Sequence, residues 1–196
     1  HMCFFTTVLN DGDIYRMYYD TQHRWTSCAE SPDGIHWHKP RLGLVECDGS
    51  TANSIISSNT HHMVRFFPFI DTCPGVPAEE RFKANAVDGE DLIGYVSSDG
   101  VRWKRIRDEP IVFGTIENAF DSQNVSFWSQ RENQYVCYFR TWQTSHGRLR
   151  TMSRATSDDY VHWDYLKVLS MHLQLNHDID AISCDYQLVD NHQNVI

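Results

Sequence analysis

Ser31-Pro32-Asp33-Gly34-Ile35-His36-Trp37 returns as Ser97-Ser98-Asp99-Gly100-Val101-Arg102-Trp103, and again as Ser157-Asp158-Asp159-Tyr160-Val161-His162-Trp163. The tryptophans at 37, 103 and 163 set a period of 60 to 66 residues, a spacing that marks repeated supersecondary units. Each copy follows a strand-like run, at 26–30, 92–96 and 149–155. The Ser-x-Asp-Gly core reads as a tight turn in which glycine supplies a positive φ and the Asp and Ser side chains accept from the amides just ahead. The tryptophan is expected to open the next strand as a buried indole that fixes register. In the third copy Tyr160 stands where glycine stood, which predicts a turn type that tolerates a non-glycine residue. Turn chemistry accounts for every residue of the motif, so it is read as scaffold rather than as a site.

Working outward, residues 3–9 form an apolar run, Asn10-Asp11-Gly12-Asp13 a turn, and 14–19 a second strand. Asp-Gly between β-rich runs is a strong hairpin signal. With a strand at 26–30 and another at 37–44, four antiparallel strands complete a first unit over about 3–50. A second unit, about 51–116, starts with Ser54-Ile55-Ile56-Ser57, continues through the aromatic run 61–71, turns at Cys73-Pro74-Gly75, and repeats the strand-turn-Trp device at 92–103. The third, about 117–170, opens on 119–128 and forms a hairpin through 129–134 to 135–142. No convincing helical period of 3.6 is present. Residues 171–196 lack comparable alternation and are either a divergent tail or the start of a further unit.

All-β units of four strands at this period read as blades of a β-propeller, here about three of them. A two-sheet sandwich also uses short strands and turns, but it does not need a period.

Composition narrows the function. The 196 residues carry 26 acidic and 17 basic side chains, a net charge of −9, which disfavours nucleic acid and anionic membrane surfaces and suits neutral ligands. No run approaches the roughly 20 apolar residues of a membrane span. His1-Met2 reads as a cloning remnant, and the start has no basic-then-apolar secretory pattern. The six cysteines lack the spacing of a zinc site or a disulfide framework. No cofactor or metal is expected, and a reducing, cytoplasmic compartment is. Cys28 and Cys137, inside apolar strands, read as buried thiols.

The segment Ala119-Phe120-Asp121-Ser122-Gln123-Asn124-Val125-Ser126-Phe127-Trp128, followed by Gln134-Tyr135-Val136-Cys137-Tyr138-Phe139, resembles the innermost strand and first hairpin of five-bladed β-propeller glycoside hydrolases of families 32, 43, 68 and 130. The blade end 155–163 is similar to that of the fructan and arabinan members. The aromatic run 62–71 with 77–84 resembles a bacterial family-32-like subgroup. Likeness extends over roughly residues 10–170. Five blades at this period would need roughly 315 residues, so the resemblance covers about three, and open blade edges are expected to drive homo-oligomerisation. The implied activity is cleavage of a glycosidic bond in a neutral carbohydrate, a fructan or arabinan furanoside for preference. A non-catalytic carbohydrate-binding or self-assembling truncated propeller is the alternative.

Glycoside hydrolysis takes two carboxyl groups across the scissile bond. Asp121, at the head of an inner strand, matches the place of a nucleophile or base, or else caps its turn. Asp71 either lines the axial funnel or starts the turn at Cys73. Glu80 is a candidate acid, or a surface group beside Arg81. His62, Asn124, Trp128 and Arg140 are candidate substrate contacts: His62 by hydrogen bonding, Trp128 by stacking unless it is core, and Arg140 by holding a sugar hydroxyl or pairing with Asp121.

Overall fold

The computed structural model describes residues 3–21, 24–58, 63–114, 119–143, 149–169, 172–173 and 184–185. Three four-stranded antiparallel sheets follow one another along the chain. The first contains β1 (Cys3–Asn10), β2 (Tyr15–Thr21), β3 (Trp25–Ser31) and β4 (Ile55–Ser58). The second contains β5 (Val64–Ile70), β6 (Phe82–Asp88), β7 (Asp91–Ser97) and β8 (Lys104–Arg105), with one 3₁₀ turn at Ala78–Glu80. β9 (Val125–Ser129), β10 (Gln134–Gln143), β11 (Leu149–Ser157) and β12 (Asp164–Leu169) form the third. Two short segments, β13 (His172–Leu173) and β14 (Cys184–Asp185), pair with each other. Within each sheet the strands lie in chain order, each antiparallel to the next. The first strands touch in succession, β1 against β5 and β5 against β9. These are three blades fanned with their first strands innermost.

The fourth strand of the first blade comes from further along the chain than residues 37–44. There only His38 bridges Glu30; residues 39–53 then leave the sheet, and the chain returns at Ser54 to pair with Cys28 and onward through β4. The first sheet therefore extends past residue 50 to Ser58. Blade two repeats this on a smaller scale: β8 pairs with β7, the chain departs, and Val112 returns to Leu92. In blade three the outer strand runs on to Leu169 with one irregularity.

Alternation along the second strand of each blade builds two seams. Between blades one and two, Tyr18, Cys28, Met63, Phe66, Ala84 and Tyr95 form one apolar cluster. Between blades two and three, Phe69, Val87, Leu92, Tyr135, Phe139 and Tyr160 are among the members of another. Cys28 and Cys137 are unpaired and buried in these seams, and burial pushes both thiols up to about 12.

The recurring turn shares most of its hydrogen bonds among the three copies, although Ser157 Oγ accepts from the Asp159 amide alone where Ser31 and Ser97 accept two. Ser31 Oγ accepts from the amides of Asp33 and Gly34. Asp33 Oδ1 accepts from Ile35 and His36, and the Trp37 indole donates to the Gly34 carbonyl at 3.2 Å. Asp99 and Asp159 accept the matching amides, and Trp103 and Trp163 donate to the residue three before at 3.1 and 3.0 Å. The indoles are not uniformly buried as the sequence suggested. Trp163 is, whereas Trp37 and Trp103 are half-buried, so their shared role is to clip the turn.

The third turn is also not of a different type. Tyr160 adopts φ 68°, close to the 76° and 71° of Gly34 and Gly100. The strain of this conformation, about 1–2 kcal/mol, is offset because Tyr160 is fully buried with its ring edge-on to Phe69, Tyr135 and Trp163. The two seams exchange large for small at equivalent places. Tyr18 and Asn85 hold one register position, each three residues past the partner of the motif serine. Tyr18 donates to the Gly100 carbonyl at 2.8 Å, where a Cβ on Gly100 would lie 2.8 Å from that hydroxyl and 2.6 Å from Arg16 Nη1. In the next seam the smaller Asn85 faces Tyr160. Gly100→Ala combines a disfavoured φ with overpacking and is expected to cost about 2–3 kcal/mol by urea unfolding; a loss below about 0.5 kcal/mol would contradict this close approach.

The turn carboxyls also give an acid dependence. All three are held below the ordinary carboxylate range. At Asp33 the His36 ring is the largest cause, ahead of the His36 and Ile35 amides. At Asp99 and Asp159 partial burial opposes the shift and is outweighed by the amides at 101–102 and 161–162 with the Arg102 and His162 side chains. Such groups stabilise the fold above their unfolded value near 4 and lose that contribution as pH falls below it. Unfolding midpoints are therefore expected to drop on acidification below about pH 4. Asp99→Asn keeps the acceptor oxygen and is expected to flatten part of that drop; an unchanged slope would remove Asp99 as a source.

Candidate active site

Two of the inner strands are irregular near their starts, where the pairing skips between Phe4 and Thr7 in β1 and between Val64 and Phe67 in β5. Phe5 and Arg65 both have φ 50°, and Phe120, just ahead of β9, has φ 61°. A bulge at such a place re-aims a side chain. Here it sends Arg65 out of the blade-two sheet and across the seam, where its Nη2 lies 2.9 Å from Asp121 Oδ1. Arg140, on β10, takes the other oxygen, Oδ2. Asp121 is thus held by two guanidinium groups from two blades, and its side chain remains 42% exposed.

The loop that presents Asp121 is fixed from behind. The Phe120 amide donates to the Arg140 carbonyl at 3.2 Å, and the Phe120 ring is buried 4.9 Å from Phe139. Asn124, wholly enclosed, donates from Nδ2 to the carbonyls of Phe120 and Ser122 at 3.0 and 3.2 Å. Blade one joins through Asp20, whose Oδ2 accepts the Arg65 amide at 3.1 Å and whose Oδ1 accepts from Thr26. Asp20 is itself buried. All three blades therefore meet at Asp20, Arg65, Asp121 and Arg140.

Of the residues that the sequence picked out, Asp121 and Arg140 come together, while Asn124 lies beneath them as a brace. Asp71 and Glu80 stand elsewhere. Asp71 follows the far end of β5, roughly 20 Å from Arg65 at about 3.3 Å per residue, and its side chain has no exposure. Lys83 Nζ at 2.6 Å, the Tyr135 hydroxyl at 2.7 Å and the Cys73 amide at 2.9 Å enclose it. Glu80 joins this group 3.6 Å from Lys83 Nζ, not by pairing with Arg81, which donates to the Asp11 carbonyl. Trp128 packs edge-on against Tyr135 at 4.9 Å, beside the core of the same seam. His62 lies outside the described residues.

Arg65 and Asp20 escaped the sequence reading. Their signal is a charged residue inside a β-rich aromatic run, in Val64-Arg65-Phe66-Phe67 and in Tyr18-Tyr19-Asp20. Among the described residues no group of three or more His, Cys, Asp or Glu is placed to hold a metal ion, and no helix is long and apolar enough to cross a membrane.

No family model matches the chain, and no curated protein matches it at a significant level. Solved structures do. A fructofuranosidase from Schwanniomyces occidentalis, in complex with fructosylnystose, aligns at TM-score 0.61 and 13% identity over 87% of this chain and 35% of its own. An α-L-arabinanase from Penicillium chrysogenum with arabinobiose aligns at 0.57 and 11%, over 87% of this chain and 50% of its own. A glycosyl hydrolase from Bacteroides ovatus aligns at 0.54 and 12%, over 84% and 51%. The chain spans between about a third and a half of the length of these proteins. At this identity the likeness is one of fold: consecutive four-stranded β-propeller blades arranged as in these solved structures.

Proposed function

We propose that the chain is the blade set of a glycosidase acting on furanosides, fructans or arabinans, with Asp121 as its nucleophile or general base. The observation that carries this reading is a half-exposed carboxylate where three blades meet, oriented by Arg65 and Arg140. Two of the similar structures are a fructofuranosidase and an arabinanase, which supports the furanoside choice. Arg65 and Arg140 each occupy one oxygen, which fixes the plane of the carboxylate, and fixed geometry at the attacking group is worth a large part of the barrier.

The reaction needs a second, protonated carboxyl, about 5–5.5 Å away for retention or about 6.5–9.5 Å for inversion. Asp71 stands too far along β5 to serve, Glu80 lies with it beside Lys83, and Asp20 is buried. We assign the acid to a further blade, brought by self-association of the chain. The free face of blade three supports this, since Val125, Phe127 and Met152 are 44%, 38% and 40% exposed on the side of the sheet opposite the blade-two seam. Turnover of aryl arabinofuranosides and fructo-oligosaccharides, read with light scattering over a range of protein concentration, tests the proposal. The rate per chain is expected to rise as association proceeds. Association without turnover of any furanoside would reject the enzymatic reading, and a monomer at every concentration would reject closure by a second copy.

A further inference from the structure

The excursion at 39–53 folds back over the side of the first sheet that faces away from blade two, and the space beneath it is a cavity of about 470 Å³. That volume lies in the range of small-molecule sites, about 300–1,000 Å³. Tyr19 and Ser27 form its buried floor, Thr21 and Trp25 a wall, and the exposed Lys39 and Arg41 its mouth. The cavity is separate from the Asp121 site. Successive residues of a strand point to opposite faces, so Asp20 turns toward blade two while Tyr19 and Thr21 turn the other way.

Charge distinguishes this place from the rest of the surface. The chain has 26 acidic against 17 basic residues, yet among the described residues no carboxylate lines the cavity. Among the described residues Lys39 and Arg41 have no acidic partner, and a third cation, Arg24, lies 4.8 Å from the Trp25 ring centroid. Unpaired cations at the mouth of a cleft attract anions. The walls hold more than an anion needs: two aromatic rings, and the hydroxyls of Thr21 and Ser27, 3.3 Å apart. Aromatic surface with hydroxyls suits a sugar ring, and the cations suit a carboxylate.

We propose that this cavity binds an acidic saccharide unit, a hexuronate, with its carboxylate at Lys39 and Arg41 and its ring against Trp25 and Tyr19. Titration of the full chain with galacturonate, followed by calorimetry, tests this beside galactose and inorganic phosphate. Galacturonate is expected to saturate and to bind at least about tenfold more tightly than galactose. The exposed double variant Lys39→Ala, Arg41→Ala is expected to weaken it by about tenfold or more, or 1.4 kcal/mol, with an unchanged melting temperature; should that variant fail to fold, Arg41→Gln alone is expected to weaken it at least about threefold. Asp121→Asn is expected to leave this binding intact, which separates it from the catalytic proposal. Absence of saturation, galactose binding as tightly, cation variants binding like wild type, or phosphate binding as well as galacturonate would each overturn the proposal, the last by reducing the site to a bare anion patch.

Discussion

Replacing Asp71 with alanine is expected to lower the free energy of unfolding by about 3–5 kcal/mol, because it leaves a buried cation with only the 41% exposed Glu80, 3.6 Å away, as counter-charge. Lys83 is 5% exposed and Asp71 not at all, so water cannot take over the role of the missing carboxylate. The Tyr135 hydroxyl, raised by burial and then by the Asp71 carboxylate beside it, is a donor that would lose its acceptor, as would the Cys73 amide. The remedy distinguishes charge from packing. Adding Lys83→Met to Asp71→Ala is expected to recover more than half of the loss, since the buried ammonium, left with Glu80 alone, is its main source. Urea unfolding of the two variants measures both effects. A single-variant loss under about 1 kcal/mol would contradict the enclosure of this pair, and no recovery in the double variant would move the cost from charge to packing.

Asp71 also shows where sequence reasoning stops. From its neighbours alone, a carboxylate at the end of an aromatic inner strand reads equally as lining the axis or as starting the turn at Cys73, whose amide donates to it. Its burial depends on Lys83 one strand away and on Tyr135 one blade away, and neither contact leaves a local mark. The Ser-x-Asp-Gly turn was legible because its bonds join residues two or three apart, and chemistry confined to such a span survives in the sequence. Tyr160 was misjudged for the opposite reason. Local preference rules out a positive φ for tyrosine, but three aromatic neighbours from two blades make that conformation the one that fills the seam. Likewise 37–44 carries strand-like residues, while the hydrogen bonds of β3 are met by 54–58 after a long departure. At the site, Arg140 was legible beside Asp121 because one hairpin joins them. Arg65 was not, since a bulge in a different blade delivers it.

The central functional claim rests on Asp121. Asp121→Asn keeps the shape and one acceptor oxygen but removes the charge that Arg65 and Arg140 share. The group is 42% exposed, so water screens the two guanidinium groups, and the stability cost is expected to stay within about 1 kcal/mol. A nucleophile or base, in contrast, cannot be replaced by an amide, and general base catalysis alone contributes about 10²–10⁴-fold. The direct measurement is the initial rate of hydrolysis of an aryl α-L-arabinofuranoside and of a fructo-oligosaccharide by the associated wild-type chain and by Asp121→Asn, at matched melting temperature. At least one substrate turned over by the wild type, and slowed by about 10²–10⁴-fold in the variant, is the result expected; equal rates in the two proteins would contradict the assignment of Asp121.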